Sequence, residues 1–261
     1  MTERILVERQ EAIGHITFNN PEKRNAMSLG MWQGLIDALD RFSKEPGLRV
    51  LVLAGAGGRA FVSGADISKF ENERSSAADV ERYEAITDEA QERLAGFPLP
   101  TIARIDGWCI GGGMAIALAC DLRICGTGSQ FAIPAARLGV GYGLAGVKRL
   151  IDLVGPAVAK EIFFTGRRFG SEEAQRIGLV NHVVNDGEVA EAALSTASTI
   201  AANAPLTVRS IKQIAAHVLV DGDGRDPDLC AKLVRECFSS EDYIEGRRAF
   251  MEKRAPVFRG R

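Results

Sequence analysis

The chain has 261 residues, 46% of them hydrophobic and 25% charged, with a formal net charge of −2. That length and apolar fraction suit one large domain, or a domain with an appendage, with ample core. Acids and bases are interleaved, which leaves no basic footprint for nucleic acid or an anionic membrane. No apolar run approaches the roughly 20 residues of a membrane span.

Ile5 to Glu8 and Ile13 to Phe18 alternate apolar and polar around Glu11-Ala12, which predicts a β-hairpin. Asn19 to Asn25 is a polar loop stopped by Pro21. Ser28 is a good N-cap for a helix from Leu29 to Phe42, where Leu35, Ile36, Leu39 and Phe42 recur at helical spacing. Pro46-Gly47 ends it, and Val50 to Ala54 reads as a buried strand before a turn at Gly55 to Arg59. Phe61 to Ile67 is a strand running into a glycine bend. Ser75 to Asp79 reads as mobile and polar, and Val80 to Leu94 as a helix whose charged residues from Glu81 to Arg93 form a solvated face. Thr101 to Ile105 is a buried strand, followed by three glycines and an apolar helix from Met114 to Ala119.

Leu122 to Cys125 is a short strand, and Phe131 to Gly146 a glycine-rich loop holding Tyr142. Short helices follow at Val147 to Val154, Ala157 to Phe164 and Glu172 to Ile177, the last with Ser171 as N-cap. Leu179 to Val184 is a strand. Glu188 to Ala202, Leu206 to Val218, Asp228 to Phe238 and Tyr243 to Lys253 are helices. Alternating β and α followed by an all-helical tail predicts a parallel-sheet α/β core, residues 1–204, with a helical C-terminal region, residues 205–261.

Two β-to-α bends carry glycine, Gly64-Ala65-Asp66 and Gly111-Gly112-Gly113. Glycines without Cβ atoms let a ligand approach the backbone, and the first turn of a helix leaves unpaired N–H groups. Together they suit an anion or a developing oxyanion; a turn needed only for close strand–helix packing accounts for the triple glycine equally well. His15, His182 and His217 lie far apart in sequence, so no metal is expected. Gly141 to Gly146 satisfies G-x-G-x-x-G but lacks a preceding strand, so no dinucleotide cofactor is expected. The five cysteines form no C-x-x-C pair, and the charged N-terminus is unlike a signal peptide. Reduced, buried thiols and a cytoplasmic location are the expectation.

Several motifs in order resemble the crotonase (enoyl-CoA hydratase/isomerase) superfamily along nearly the whole chain. They are Asn20-Pro21 with Asn25-Ala26, Phe61 to Ile67, Asp106-Gly107 with Gly111 to Gly113 and Cys120-Asp121, and Phe131, Pro134 and Leu138-Gly139. Thr165-Gly166, Gly178 to Val180 and the tail from Phe250 to Phe258 follow. The resemblance implies a spiral of β-β-α turns, with a helical C-terminal region that makes trimers or dimers of trimers. It implies an acyl-CoA thioester as the substrate, coenzyme A being part of that substrate. The backbone N–H groups of Ala65 and Gly112 would form an oxyanion hole. Lys23, Arg24, Ala26, Ser63, Ala65, Asp66 and Ile67 would meet CoA, with Gly111, Gly112, Ala115 and Ala135 beside the acyl group. Phe250 and Lys253 would reach CoA from a neighbouring subunit. Asp66 and Asp121 read as structural within the family, Asp66 as a cap of the following turn and Asp121 as buried.

The departures carry as much information. The family's hydratases use two glutamates, and the corresponding positions here are Ala115 and Ala135. Positioned acid–base groups typically contribute 10²–10⁴-fold, and methyl groups transfer no protons. Leu138 to Gly146, with Tyr142, resembles the methylmalonyl-CoA decarboxylase branch, although that branch has histidine where Ala65 stands here. Expelling CO₂ from a malonyl-type thioester needs an electron sink rather than a base. Decarboxylation is therefore the expected reaction. The alternatives are an enoyl-CoA hydratase, isomerase or thioester hydrolase with another base, or a homologue that binds acyl-CoA without turnover.

Overall fold

The computed structural model describes residues 4–69, 73, 75–220 and 224–261. β1 (Ile5–Gln10) and β2 (Ile13–Phe18) form the predicted hairpin in full register, from Ile5 opposite Phe18 to Gln10 opposite Ile13. α1 (Leu29–Ser43) starts where the Ser28 side chain accepts the Met31 N–H at 3.4 Å. β3 (Val50–Gly55) is buried along its whole length, as an apolar run in a covered parallel sheet should be.

From β3 onward the chain repeats one manoeuvre. A strand enters a large sheet, the next enters a small sheet, and a helix closes the turn. β3, β4 (Ala60–Val62) and α2 (Ala77–Ala95) make the first turn. β5 (Thr101–Ile105), β6 (Trp108–Ile110) and α3 (Gly112–Ala119) make the second. β7 (Leu122–Gly126), β8 (Gln130–Ala132) and α4 (Ala135–Leu138) make the third. The large sheet has the order β1-β2-β3-β5-β7-β10, with β10 at His182–Val184, and is parallel except for the hairpin. The small sheet has the order β4-β6-β8-β9, with β9 at Phe169–Gly170. This is the spiral of β-β-α turns that the family resemblance implies.

The main core lies between the two sheets and α1 to α3, around Phe18, Leu35, Phe42, Leu53, Phe61 and Phe131. Phe18 meets Phe61 edge-on at 5.5 Å, which ties the two sheets together. The other face of the large sheet is covered by α8 (Val189–Ala202) through Val52, Ile102, Ile124, Ala193 and Ala197. Between α4 and β10 run α5 (Leu144–Val154), α6 (Pro156–Thr165) and α7 (Ser171–Arg176). The tail consists of α9 (Pro205–Val218), α10 (Pro227–Phe238) and α11 (Glu241–Glu252). Among the described residues, no helix is long and apolar enough to cross a membrane.

Several expectations need correction. Ser75 to Asp79 is the ordered start of α2, closed by a capping box in which Ser76 accepts the Asp79 N–H and Asp79 accepts the Ser76 N–H. The expected loop from Phe131 to Gly146 holds part of β8, all of α4 and the first residues of α5. Trp108–Ile110 is a strand; its three residues are too few for alternation to show. The strand expected from Leu179 shortens to His182–Val184. Gly170, not Ser171, caps α7, because the Ser171 hydroxyl donates to the Thr127 carbonyl at 2.7 Å. Asp121 is exposed rather than buried; its carboxylate accepts the Thr101 N–H at 2.8 Å and pairs with Lys212 at 2.7 Å. Cys109, Cys120 and Cys125 are buried free thiols, whereas Cys230 and Cys237 are half-buried.

Candidate active site

The carboxyl ends of β4 and β6 lie side by side and point their following bends at one cavity. β4 and β6 pair in parallel, with a register shift between Ala60 and Val62. A Cβ added to Gly111 would lie 3.8 Å from the Gly64 Cα, so the two glycine bends touch. Gly64 has φ +116° and Gly111 has φ +52°, with ψ −109° at the latter, backbone that a side chain would strain.

Ala65 and Gly112, one from each bend, both line that cavity. Met27 bridges Ala65 in parallel, using the Gly64 carbonyl and the Asp66 N–H, each at 2.8 Å. The Ala65 N–H therefore falls on the opposite edge of its strand. Gly112 is the first residue of α3, so no earlier carbonyl of the helix accepts its N–H. The helix dipole adds partial positive charge at that end. The far end of α3 is held by Arg123, only 3% exposed. Its guanidinium donates to the carbonyls of Ala117, Cys120, Asp121 and Leu179 at 2.9, 2.6, 3.1 and 2.7 Å.

The cavity is about 750 Å³, the size of a small-molecule site. Of the residues singled out from sequence, Ser63, Ala65, Ile67, Gly111, Gly112, Ala115, Ala135 and Tyr142 line it. Lys23, Arg24, Ala26, Asp66, Phe250 and Lys253 do not. Lys23 and Arg24 back the wall instead: the Lys23 carbonyl accepts the Ser63 hydroxyl and the Arg24 carbonyl accepts the Ser63 N–H. The Arg24 guanidinium lies over the Trp108 ring at 5.7 Å. Phe250 is 83% exposed near the end of α11. Part of the cavity wall comes from α2, with Val80, Tyr83, Glu84, Thr87, Asp88, Gln91 and Glu92.

Asp66 is 4% exposed and accepts from Lys23 Nζ at 2.9 Å and from the hydroxyl and N–H of Ser68. It caps the turn that follows it. Burial alone would raise its carboxyl; the Lys23 and Ser68 hydrogen bonds outweigh that and hold it below the usual range. Folding therefore favours the carboxylate. That stability is complete above the unfolded pKa of about 4 and is lost as pH falls through the lower folded value. Asp66→Asn is expected to cost about 1–2 kcal/mol at pH 7 and clearly less near pH 2, read by urea unfolding at both pH values. Equal losses at both pH values would remove the ion pair from the account.

Tyr142 packs edge-on against Phe163 at 4.8 Å. Its hydroxyl is buried with no hydrogen-bond partner, and burial pushes the phenol up to about 12. An unpaired buried hydroxyl costs about 1–3 kcal/mol, and Tyr142 carries that cost in the cavity wall.

Reading the sequence missed the opposite wall. Trp32 and Tyr83 line it, joined by a hydrogen bond from Trp32 Nε1 to the Tyr83 hydroxyl at 3.1 Å. Glu84, Asp88 and Glu92 of α2 are exposed, as the solvated face requires, and they also border the cavity. Their i, i+4, i+8 spacing places them on one helix face without marking that face as part of a site. Arg149 of α5 pairs with Glu92 at 2.6 Å. Gly141 to Gly146 follows α4 rather than a strand and also lines the cavity. Among the described residues, no group of three or more His, Cys, Asp or Glu side chains could hold a metal ion.

Residues 8–261 match the family model described as enoyl-CoA hydratase/isomerase. The chain is 32% identical over 256 residues to a crotonyl-CoA hydratase of Syntrophomonas wolfei, covering 98% of both. It is 33% identical to a carnitinyl-CoA dehydratase of Salmonella typhi, covering 100% of both. The fold matches a solved enoyl-CoA hydratase/carnithine racemase structure from Magnetospirillum magneticum with a TM-score of 0.94. The identity is 34%, covering 100% of this chain and 97% of that one.

Proposed function

Because this chain belongs to the enoyl-CoA hydratase/isomerase family, we propose that it decarboxylates a malonyl-type acyl-CoA thioester by stabilising the enolate. The observation that carries this reading is the pair Ala115 and Ala135. Both line the cavity with Ala65 and Gly112, whose N–H groups serve as the electron sink, and neither methyl group can act as acid or base. The thioester oxygen sits between the N–H groups of Ala65 and Gly112. The bond from C2 to the carboxylate breaks, and its electron pair becomes the enolate. CO₂ departs neutral, and C2 takes a proton from water. An apolar wall disfavours the carboxylate, and preorganised donors favour the enolate. Tyr142 gives its unpaired O–H to the carboxylate, out of the thioester plane. No cofactor is required beyond coenzyme A as part of the substrate. The active form is a homotrimer or homohexamer in which Phe250 and Lys253 meet the CoA of a neighbour. The 83% exposure of Phe250 supports that placement.

A second reading, hydration or isomerisation, is favoured by Glu84 and Asp88. Both carboxylates border the cavity and could serve as bases in place of the missing glutamates. A mass-spectrometric screen with methylmalonyl-CoA and crotonyl-CoA separates decarboxylation from hydration, and chromatography of the unsaturated thioester reads isomerisation, which leaves the mass unchanged. Loss of CO₂ without gain of water is expected. Efficient gain of water on crotonyl-CoA would replace the first reading with the second, and Glu84→Gln or Asp88→Asn should then abolish it.

Tyr142→Phe separates two roles of the phenol. Removing an unpaired buried hydroxyl is expected to leave stability unchanged or raise it by up to about 1 kcal/mol. CO₂ release should fall by about tenfold or more. A Phe variant with unaltered turnover would reduce Tyr142 to a wall residue.

A further inference from the structure

We propose that Arg149 is the receptor for a carboxylate carried by the acyl group, and that Glu92 is the exchangeable partner it releases when substrate enters. The inference takes from the decarboxylase reading only that the acyl group carries a carboxylate. It names the residue that selects it.

Arg149 is the one cationic side chain among the described residues that line the cavity. Its side chain is 17% exposed, so leaving it unpaired would be costly. Its partner is built differently. The Glu92 side chain is 62% exposed, so on leaving Arg149 it returns to water with little penalty. One fixed, largely buried cation and one partner that can rehydrate make an exchange site: an incoming carboxylate replaces Glu92 without stranding a charge. Arginine also suits the task, because its planar fork matches a carboxylate edge.

The neighbouring charges do not reverse this. Glu84 and Asp88 border the same cavity but are exposed on α2, where water and salt screen them. Arg149 and Tyr142 line the same cavity. A carboxylate between them would satisfy both. The exchange answers an objection to the chemistry. A carboxylate held firmly by arginine resists leaving, since ground-state binding raises the barrier. Here Glu92 returns to Arg149 as the carboxylate loses its charge, so the ion pair is handed over rather than broken.

The test compares succinyl-CoA with butyryl-CoA, which have equal chain length and differ in a terminal carboxylate against a methyl group. Affinities are measured by isothermal titration calorimetry on the intact protein. Wild type is expected to prefer succinyl-CoA by about tenfold, the scale of one charged hydrogen bond after competition with Glu92. Arg149→Gln should abolish the preference. Glu92→Gln should enlarge it several-fold, because the competitor is gone. Butyryl-CoA affinity should change less than about twofold throughout. The opposite signs guard against a general loss of folding. Equal affinity for both thioesters in wild type, or parallel losses in Arg149→Gln, would overturn the assignment. CO₂ release from methylmalonyl-CoA is scored separately. Preference without CO₂ release leaves Arg149 assigned and removes the decarboxylase reading; CO₂ release without preference does the reverse.

Discussion

Gly113→Ala is expected to lower turnover by about 100-fold or more while Gly112→Ala, one residue earlier, leaves the fold nearly intact. A Cβ at position 113 would stand 2.1 Å from the Val62 carbonyl oxygen and 3.0 Å from its carbon. Those atoms belong to β4, so no flexible side chain can swing aside. Alanine is the better helix former by about 1 kcal/mol, which would favour the variant if space allowed. Space does not allow it, and the contact decides the sign. α3 must move away from β4, and the Gly112 N–H moves with it. A misplacement of about 1 Å at a reacting centre can cost 10²-fold. At position 112 the nearest atom to a new Cβ is Trp32 Cζ2 at 3.3 Å, the edge of a ring that can give slightly. Turnover and thermal melting of both variants check this. Wild-type turnover in Gly113→Ala would show that β4 and α3 do not fix the donor pair.

Arg123→Leu is expected to destabilise the protein by roughly 3–5 kcal/mol, lowering the melting temperature by about 10 °C for a chain of this size. Four carbonyls at the end of α3 and beyond take their hydrogen bonds from this one guanidinium. Each buried carbonyl left unpaired costs about 1–3 kcal/mol, although the losses do not simply add. Leucine restores apolar volume and nothing else, and a site 3% exposed admits little water. Arg123→Lys keeps the charge without the planar fork, so an intermediate loss is expected. A melting shift below about 2 °C for leucine would mean that the carbonyls find other donors.

The fold was legible because its signals are redundant. The hairpin, the buried β3 run, the Ser28 cap and the glycine bends each point to one architecture. The short elements were not. β6, β8 and β9 have two or three residues each and owe their existence to neighbouring strands, so no local periodicity marks them. The backbone half of the site was readable for the same reason: Gly64 and Gly111 adopt backbone that glycine alone tolerates well. The side-chain half was not. Glu84, Asp88 and Glu92 look like any solvated stripe until α2 is laid across the cavity. Arg149 looks like an ordinary helix residue until it meets Glu92 from another turn of the spiral. Long-range pairs of this kind have no signature in a single sequence. The exposure of Asp121 was misread because its role needs hydrogen bonds, not burial.

Ala65 and Gly112, whose N–H groups are proposed to hold the thioester oxygen, come from successive turns of the spiral, and β4 pairs with β6 between them. α2, which carries much of the opposite wall, lies in the connection between those turns and contributes to neither strand. The charge of that wall can therefore be changed at Glu84, Asp88 and Glu92, all exposed, without touching either strand, whereas Tyr83, Ala90 and Leu94 tie the same helix into the core.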